Sequence, residues 1–163
     1  MQRCGSTTNW ARTGEGDYLT ATAGDTVDLS VVESAIRELF DVQELAFDGW
    51  SARQMMDSLA EDGLAVVEFP QNLATFAQPV IEFERAMFER RLVHGGNPIL
   101  RWAVGNLVFV EDASGNRRPH KAKSIDRIDP AVATIMSTGR AAANASASSS
   151  YVNKKWTDGL AFA

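Results

Sequence analysis

The first half of the chain alternates between short apolar runs and stretches with helical spacing. Residues 43–47 and 64–69 are short and mostly apolar, which is typical of buried strands. Before them, Val32, Ile36 and Leu39 recur at steps of three or four residues and predict an amphipathic helix. A second helical stretch separates the two runs. Strands that alternate with helices over short links favour a mainly parallel sheet covered by helices, so we predict an α/β fold.

The second half of the chain predicts three more helices and a hairpin. We expect a long helix over residues 73–87, in which Pro79 fits only near the beginning, where the first amides lack helical partners. Pro98 suits the first position of another helix. Two β-rich segments flank the turn-forming residues 112–116 and predict a hairpin. The last helix is expected to begin near Asp129 and to end at Gly139.

The length of 163 residues is that of one domain. Residues 1–16 are polar and show neither period, so we expect an irregular leader. The domain is predicted over residues 17–140 and opens with a short strand at residues 18–23. An alanine- and serine-rich run begins after it, which predicts a flexible low-complexity tail over residues 141–163.

The composition excludes several classes of protein. A single cysteine and two histidines rule out a cysteine-rich zinc module, so a metal would be held mainly by carboxylates. No apolar run approaches the roughly 20 residues of a membrane span, and no secretory signal is visible. We therefore expect a cytoplasmic protein. No phosphate-binding Walker loop or GxGxxG turn is present, which disfavours an ATPase or a dinucleotide enzyme.

The charge is unevenly distributed. The whole chain has a net charge of −5, yet residues 85–127 carry nine Lys or Arg against four Asp or Glu. This basic stretch is compatible with binding along a phosphate backbone. It is also compatible with a solvated face and an exposed hairpin tip, which composition alone favours. Composition alone leaves both interpretations open.

Two aspartates are candidates for chemistry. Asp48 directly follows the strand at residues 43–47, and open α/β sheets place their sites at the carboxyl ends of strands. Asp129, with Asp126 near it, stands at the start of the last helix. Each of these aspartates is also explained as a turn or a helix cap. A Mg²⁺ or Mn²⁺ site needs several oxygen ligands, and sequence spacing does not show whether these carboxylates converge.

Four segments then resemble a known family. They are LTATAG at 19–24, AFDGW at 46–50, HGGNPILRW at 94–102 and KSIDRIDP at 123–130. Over residues 10–140 the chain resembles the carboxyl-terminal nuclease domain of the terminase large subunits of tailed phages. The resemblance implies a ribonuclease-H-like mixed sheet flanked by helices. It also implies a metal-dependent endonuclease that cuts concatemeric viral DNA during packaging.

The resemblance assigns roles to particular residues. The family holds two divalent ions, Mg²⁺ or Mn²⁺, on three acidic positions, and Asp48 and Asp129 match the second and third of them. The family's polar surroundings, with DNA contact as the implied role, match His94, Asn97, Arg101, Lys121 and Lys123. The implied partners are double-stranded DNA, the portal and the terminase small subunit, with no membrane, in the cytoplasm of a bacterial host.

One departure from the family pattern concerns the first metal aspartate. In the family it lies upstream of the segment that matches Trp10, together with strands of the central sheet and an ATPase domain. Asp28 matches a helix-start position rather than that ligand. We therefore expect a domain truncated at its N-terminus, with impaired cleavage. The alternative is a prophage remnant or a non-catalytic module that contacts DNA or assembles with other proteins, so whether the chain is an enzyme stays open.

Overall fold

The computed structural model describes residues 18, 25–39, 41–49 and 52–147. Within these residues, helices and short strands follow one another in the order that the sequence predicts. The leader at residues 1–16, most of the strand expected at 18–23 and residues 148–163 lie outside the described part. The helices are α1 (Leu29–Glu38), α2 (Arg53–Glu61), α3 (Leu73–Phe88), α4 (Pro98–Gly105) and α5 (Asp129–Ala147). The strands are β1 (Leu45–Phe47), β2 (Val66–Glu68), β3 (Phe109–Glu111) and β4 (Arg117–Pro119).

The described strands form two separate two-stranded sheets rather than a single mixed sheet. Strands β1 and β2 are parallel, with Leu45 opposite Val66 and Phe47 opposite Glu68. Strands β3 and β4 form the expected antiparallel hairpin. Its turn is closed by the Asp112 carboxylate, which accepts hydrogen bonds from the amides of Ser114 and Asn116 at 2.9 and 3.0 Å. The α/β class is confirmed, but the two sheets share no strand in the described part of the chain.

Two apolar clusters hold these elements together. The larger one joins α3 to α5 and includes Phe76, Phe83 and Ile135, each at most 1% exposed. Phe69, just after β2, packs edge to face on Phe76, with ring centroids 5.1 Å apart. The smaller cluster centres on Leu59 of α2 and is covered by apolar side chains of α1, β1 and β2. None of the described helices is long and apolar enough to cross a membrane.

The position of Pro79 differs from the sequence expectation. It is the seventh of sixteen residues of α3, which begins after the Asn72 cap, so it lies well inside the helix rather than at its start. Pro79 is buried against α5, where Gly139 leaves room for its ring. This helix-helix contact explains how a residue that weakens the local hydrogen-bond ladder is accommodated at mid-helix.

Helix α5 extends further than the apolar period indicates. It continues through residues 140–147, beyond the predicted end at Gly139. The added residues are rich in alanine, the strongest helix former, so intrinsic propensity extends the helix where no apolar face requires it. The boundary of the regular structure therefore lies inside the alanine- and serine-rich run.

An ion pair connects α5 to the beginning of β1. The Arg140 guanidinium donates two hydrogen bonds to the Glu44 carboxylate, Nε to Oε1 at 2.6 Å and Nη2 to Oε2 at 2.7 Å. The side chains are only 33% and 14% exposed. These hydrogen bonds hold the pKa of Glu44 below its ordinary value of 4.5. The pair joins residues 96 positions apart, so it connects the beginning of the first described strand to the last described helix.

The contribution of this pair to stability is expected to depend on pH. Because the folded state lowers the pKa of Glu44, the stabilisation is complete above pH ~4.5 and is lost as the pH falls through the folded pKa. Glu44→Gln should lower the free energy of unfolding by about 1.5 kcal/mol at pH 7, the low end for charge-assisted hydrogen bonds. Urea unfolding of wild type and variant at pH 7 and at pH ~3 tests this, since the difference should shrink at low pH.

Glu89→Gln is the matched control for that measurement. Glu89 pairs with Arg91 two residues away, and both side chains are more than half exposed. Exposed pairs contribute little, so this variant should unfold like the wild type at both pH values. A Glu44→Gln difference that stays constant with pH would show that the pair does not titrate as described.

Candidate active site

Asp48 lies at the carboxyl end of β1 and is exposed. The neighbouring strand, β2, ends at Glu68, which is a second carboxylate. Glu68 is paired with Phe47, so the carboxyl ends of the two strands lie side by side. The Glu68 side chain lies over Gly49: a Cβ at position 49 would overlap Oε1 and lie 2.7 Å from Cδ. Arg53 Nη2 is 3.1 Å from Glu68 Oε2. This sheet edge therefore carries two carboxylates and one guanidinium.

Glu68 is a residue that the sequence interpretation missed. The sequence feature that could have identified it is a charged residue inside the otherwise apolar run at residues 64–69. The preceding apolar run, at residues 43–47, is followed by a turn that contains a glycine. The parallel register of β1 and β2 places Glu68 opposite Phe47, the residue before Asp48, and nothing in the local pattern specifies that register.

Asp129 is the first residue of α5, as predicted. The amino end of a helix favours a negative charge, so this position suits a carboxylate. Lys121, in the turn after β4, places Nζ 2.7 Å from Asp129 Oδ1. Both side chains are about 60% exposed. The ammonium group of Lys121 therefore contacts one of the two carboxylate oxygens with which Asp129 could bind a metal ion.

The long-range contacts show which ends of β1 and α5 correspond. The amino end of β1 lies beside Arg140, about 16 Å along α5 from Asp129 at 1.5 Å per residue. Gln71, just beyond the carboxyl end of β2, lines a cavity of about 240 Å³ together with Lys121 and Val132 of the first turn of α5. Strand β1 therefore runs opposite to α5, and its carboxyl end faces the same end of the domain as the beginning of α5.

A second cavity, of about 280 Å³, shares Lys121 with the first. It is lined by Asp126, Arg127 and Asp129, among others. The Asp126 carboxylate accepts a hydrogen bond from the amide of Arg127 at 2.8 Å, so it shapes the loop before α5. Because Lys121 lines both cavities, the two are neighbours on the surface of the domain.

The other predicted DNA contacts fall into two groups. Asn97 caps α4, where its Oδ1 accepts hydrogen bonds from the amides of Ile99 and Leu100, each at 3.0 Å. His94 is exposed in the turn before this cap, and Arg101 is exposed one turn into the helix. Lys121 and Lys123 belong instead to the loop between β4 and α5. The capping role of Asn97 is structural and explains that residue without DNA.

Part of the basic stretch is neutralised within the fold. Arg117 makes two hydrogen bonds to Glu84 of α3, at 2.7 and 2.6 Å, which raise the pKa of Arg117. Arg85 and Arg91 pair with acidic residues of their own segments. Among the described residues, several cations of this stretch make no ion pair. They are Arg90, Arg101, Arg118, Lys123 and Arg127.

The donor chemistry of Asp48 and Asp129 fits a hard divalent ion, because Mg²⁺ and Mn²⁺ prefer carboxylate oxygens. The ammonium of Lys121 already stands where a cation would meet Asp129. In the described part of the chain, no three His, Cys, Asp or Glu side chains are grouped as a ready metal site. Asp28 is not a member of this site, because its Oδ1 accepts hydrogen bonds from Ser30 and caps α1.

Comparisons with known proteins identify the family of this chain and two relatives. The family model for the "Terminase large subunit, endonuclease domain" matches residues 2–145. The terminase large subunit of Enterobacteria phage HK97 is 38% identical over 137 residues, which are 81% of this chain and 27% of that protein. Protein YmfN of Escherichia coli strain K12 is 34% identical over 138 residues, 81% of this chain and 30% of that protein.

A solved structure agrees in fold as well as in sequence. The crystal structure of the HK97 bacteriophage large terminase superposes with a TM-score of 0.72 at 37% identity and covers 82% of this chain and 28% of that chain. The chain thus spans less than a third of the length of the proteins it matches. Since the family model covers most of the sequence, the chain belongs to the family of terminase large subunit endonuclease domains.

Proposed function

We propose that this chain is a metal-dependent endonuclease module that cuts concatemeric viral DNA during packaging, on a ribonuclease-H-like scaffold. The observation that carries the proposal is the pairing of a family match over residues 2–145 with Asp48 and Asp129 on elements that face the same end of the domain. Double-stranded DNA is the proposed substrate. The portal and the terminase small subunit are the proposed partners of the full packaging assembly.

Asp48 and Asp129 are the side chains that would hold Mg²⁺ or Mn²⁺. Such an ion polarises the scissile phosphate and activates the attacking water. Lys121 stands beside Asp129 and would be placed there to pair with a DNA phosphate. Lys123 and Arg127, which make no ion pair among the described residues, would hold the neighbouring backbone phosphates.

A second candidate function is a non-catalytic module that contacts DNA or assembles with other proteins. It is favoured by two observations: Asp129 is engaged by Lys121, and in the described segments no three His, Cys, Asp or Glu side chains form a group that could hold a metal ion. Such a module would keep the unpaired cations of the loop before α5 while lacking a complete metal centre.

Incubation of the purified chain with supercoiled plasmid and Mn²⁺ separates the two functions. If the chain is an endonuclease, the wild type should nick the plasmid, and the nicking rate should fall at least about 100-fold in Asp48→Asn and in Asp129→Asn. Each change removes an anionic metal ligand. Asp126→Asn is the matched control and should nick like the wild type. Binding of plasmid without nicking, unaltered in both aspartate variants, would instead support the non-catalytic module.

A further inference from the structure

Ile125 is a large apolar side chain that is held out in water. It is 82% exposed, among the highest values for a described apolar residue. It lies in the loop between β4 and α5, four residues before Asp129. Burying an isoleucine is worth about 1.5–3 kcal/mol, so its exposure leaves binding energy available to a partner.

The loop around Ile125 is anchored on both sides. Ser124 Oγ donates to the carbonyl of His120 at 3.0 Å and accepts from the amide of Val108 at 3.3 Å. On the other side, Ile128 is 1% exposed and belongs to the main core. Because both flanks are fixed to the fold, Ile125 is presented to solvent by a defined backbone rather than by a loose loop.

The charges beside Ile125 indicate the chemistry of the partner. Lys123 and Arg127 lie two residues away on either side, and neither makes an ion pair in the described part of the chain. Asp126 is turned to the amide of Arg127. An apolar tip between two cations that make no ion pair complements a polyanion with an apolar interior. Duplex DNA is such a polyanion, because its phosphates lie along the surface and its bases stack between the two backbones.

We infer that Ile125 inserts into a groove of duplex DNA as an apolar wedge, while Lys123 and Arg127 hold the phosphates on either side. This inference rests on the proposed DNA substrate. It adds the residue that seats the duplex next to Asp129. Inserted isoleucine side chains partly unstack a base step and bend the duplex, which widens the surface in contact.

Anisotropy measurements with a fluorescent 30-base-pair duplex, without divalent metal and at several salt concentrations, test the wedge. Ile125→Ser should weaken binding about tenfold and leave the slope of log affinity against log salt unchanged, because no charge is removed. Lys123→Gln should reduce the steepness of that slope by about 1, because one phosphate contact is lost. Val93→Ser is the matched control: Val93 is 67% exposed in the loop before α4, and its change should not affect binding.

The outcomes separate the wedge from the proposed nuclease. Ile125→Ser binding within twofold of wild type, with an unaltered thermal midpoint, would overturn the wedge, and so would a wild type that binds no duplex. Loss of self-association in Ile125→Ser, with DNA affinity unchanged, would assign the side chain to a second copy of the chain and also overturn it. A tenfold loss of affinity in a protein that never nicks DNA would support the wedge and count against the nuclease.

Discussion

The Asp129→Asn variant is expected to bind Mn²⁺ about 100-fold more weakly than the wild-type chain. The substitution keeps the shape of the side chain but replaces an anionic oxygen ligand by a neutral amide, and hard divalent ions depend on carboxylate charge. Asp48→Asn should have a comparable effect if both carboxylates serve one site. Isothermal titration with Mn²⁺, supported by the electron paramagnetic resonance signal of the free ion, measures the change without relying on cleavage.

Two further variants make this measurement specific. Asp126 lines the same cavity as Asp129, but its carboxylate accepts the amide of Arg127. Asp126→Asn should therefore bind Mn²⁺ like the wild type. Lys121→Gln should bind it up to about fivefold more tightly, since the Lys121 ammonium no longer competes for Asp129 Oδ1 at 2.7 Å. Equal losses in Asp126→Asn and Asp129→Asn would indicate a general effect of negative charge and contradict the assignment.

Local patterns predicted the order of the elements well. The cap of α1 by Asp28, the entry of Pro98 into α4 and the turn of the β3–β4 hairpin each depend on residues within a few positions of one another. Their geometry is set by the residue types at neighbouring positions of the sequence. The parallel pairing of β1 with β2 was also predicted, because a helix of the right length separates two short apolar runs.

The features that sequence reasoning missed are long-range. Arg117 belongs to the basic stretch by sequence, but it is matched by Glu84, 33 residues away on α3. The partner of Arg140 is 96 residues away. Glu68 reaches the Asp48 edge only through the register of two strands. Such pairs depend on which faces the packing brings together, and no periodicity within one element specifies that.

In the candidate site, too, the local positions were predicted and a contact between different segments was not. Asp48 and Asp129 were selected because one follows a strand and the other begins a helix, and both positions are observed. The ion pair between Asp129 and Lys121 was not foreseen, because Lys121 was considered only as a DNA contact. The structure thus gives Lys121, a predicted DNA contact, a second role as the ion-pair partner of Asp129.

The contact between α3 and α5 leads to the last prediction, a loss of stability in Gly139→Ala. A Cβ at position 139 would lie 2.5 Å from Cβ and Cγ of Pro79 and 2.9 Å from its Cα. The ring is rigid and part of the helix backbone, so it cannot turn aside as a flexible side chain would. The two helices must separate, and overpacking of this kind costs about 1–3 kcal/mol.

Gly105→Ala is the control, because it makes the same substitution in a helix at a position where the new methyl group meets no other atom. Gly105 ends α4, and no atom beyond its chain neighbours and its own helix backbone lies within 4 Å of the position that its Cβ would take. Replacing a helical glycine by alanine ordinarily stabilises a protein by about 0.5–1 kcal/mol, so Gly105→Ala should be neutral or more stable. Thermal unfolding should place the midpoint of Gly139→Ala about 5–10 °C below that of the wild type. If instead both variants were stabilised alike, the close approach of α3 and α5 would not depend on the missing side chain at position 139.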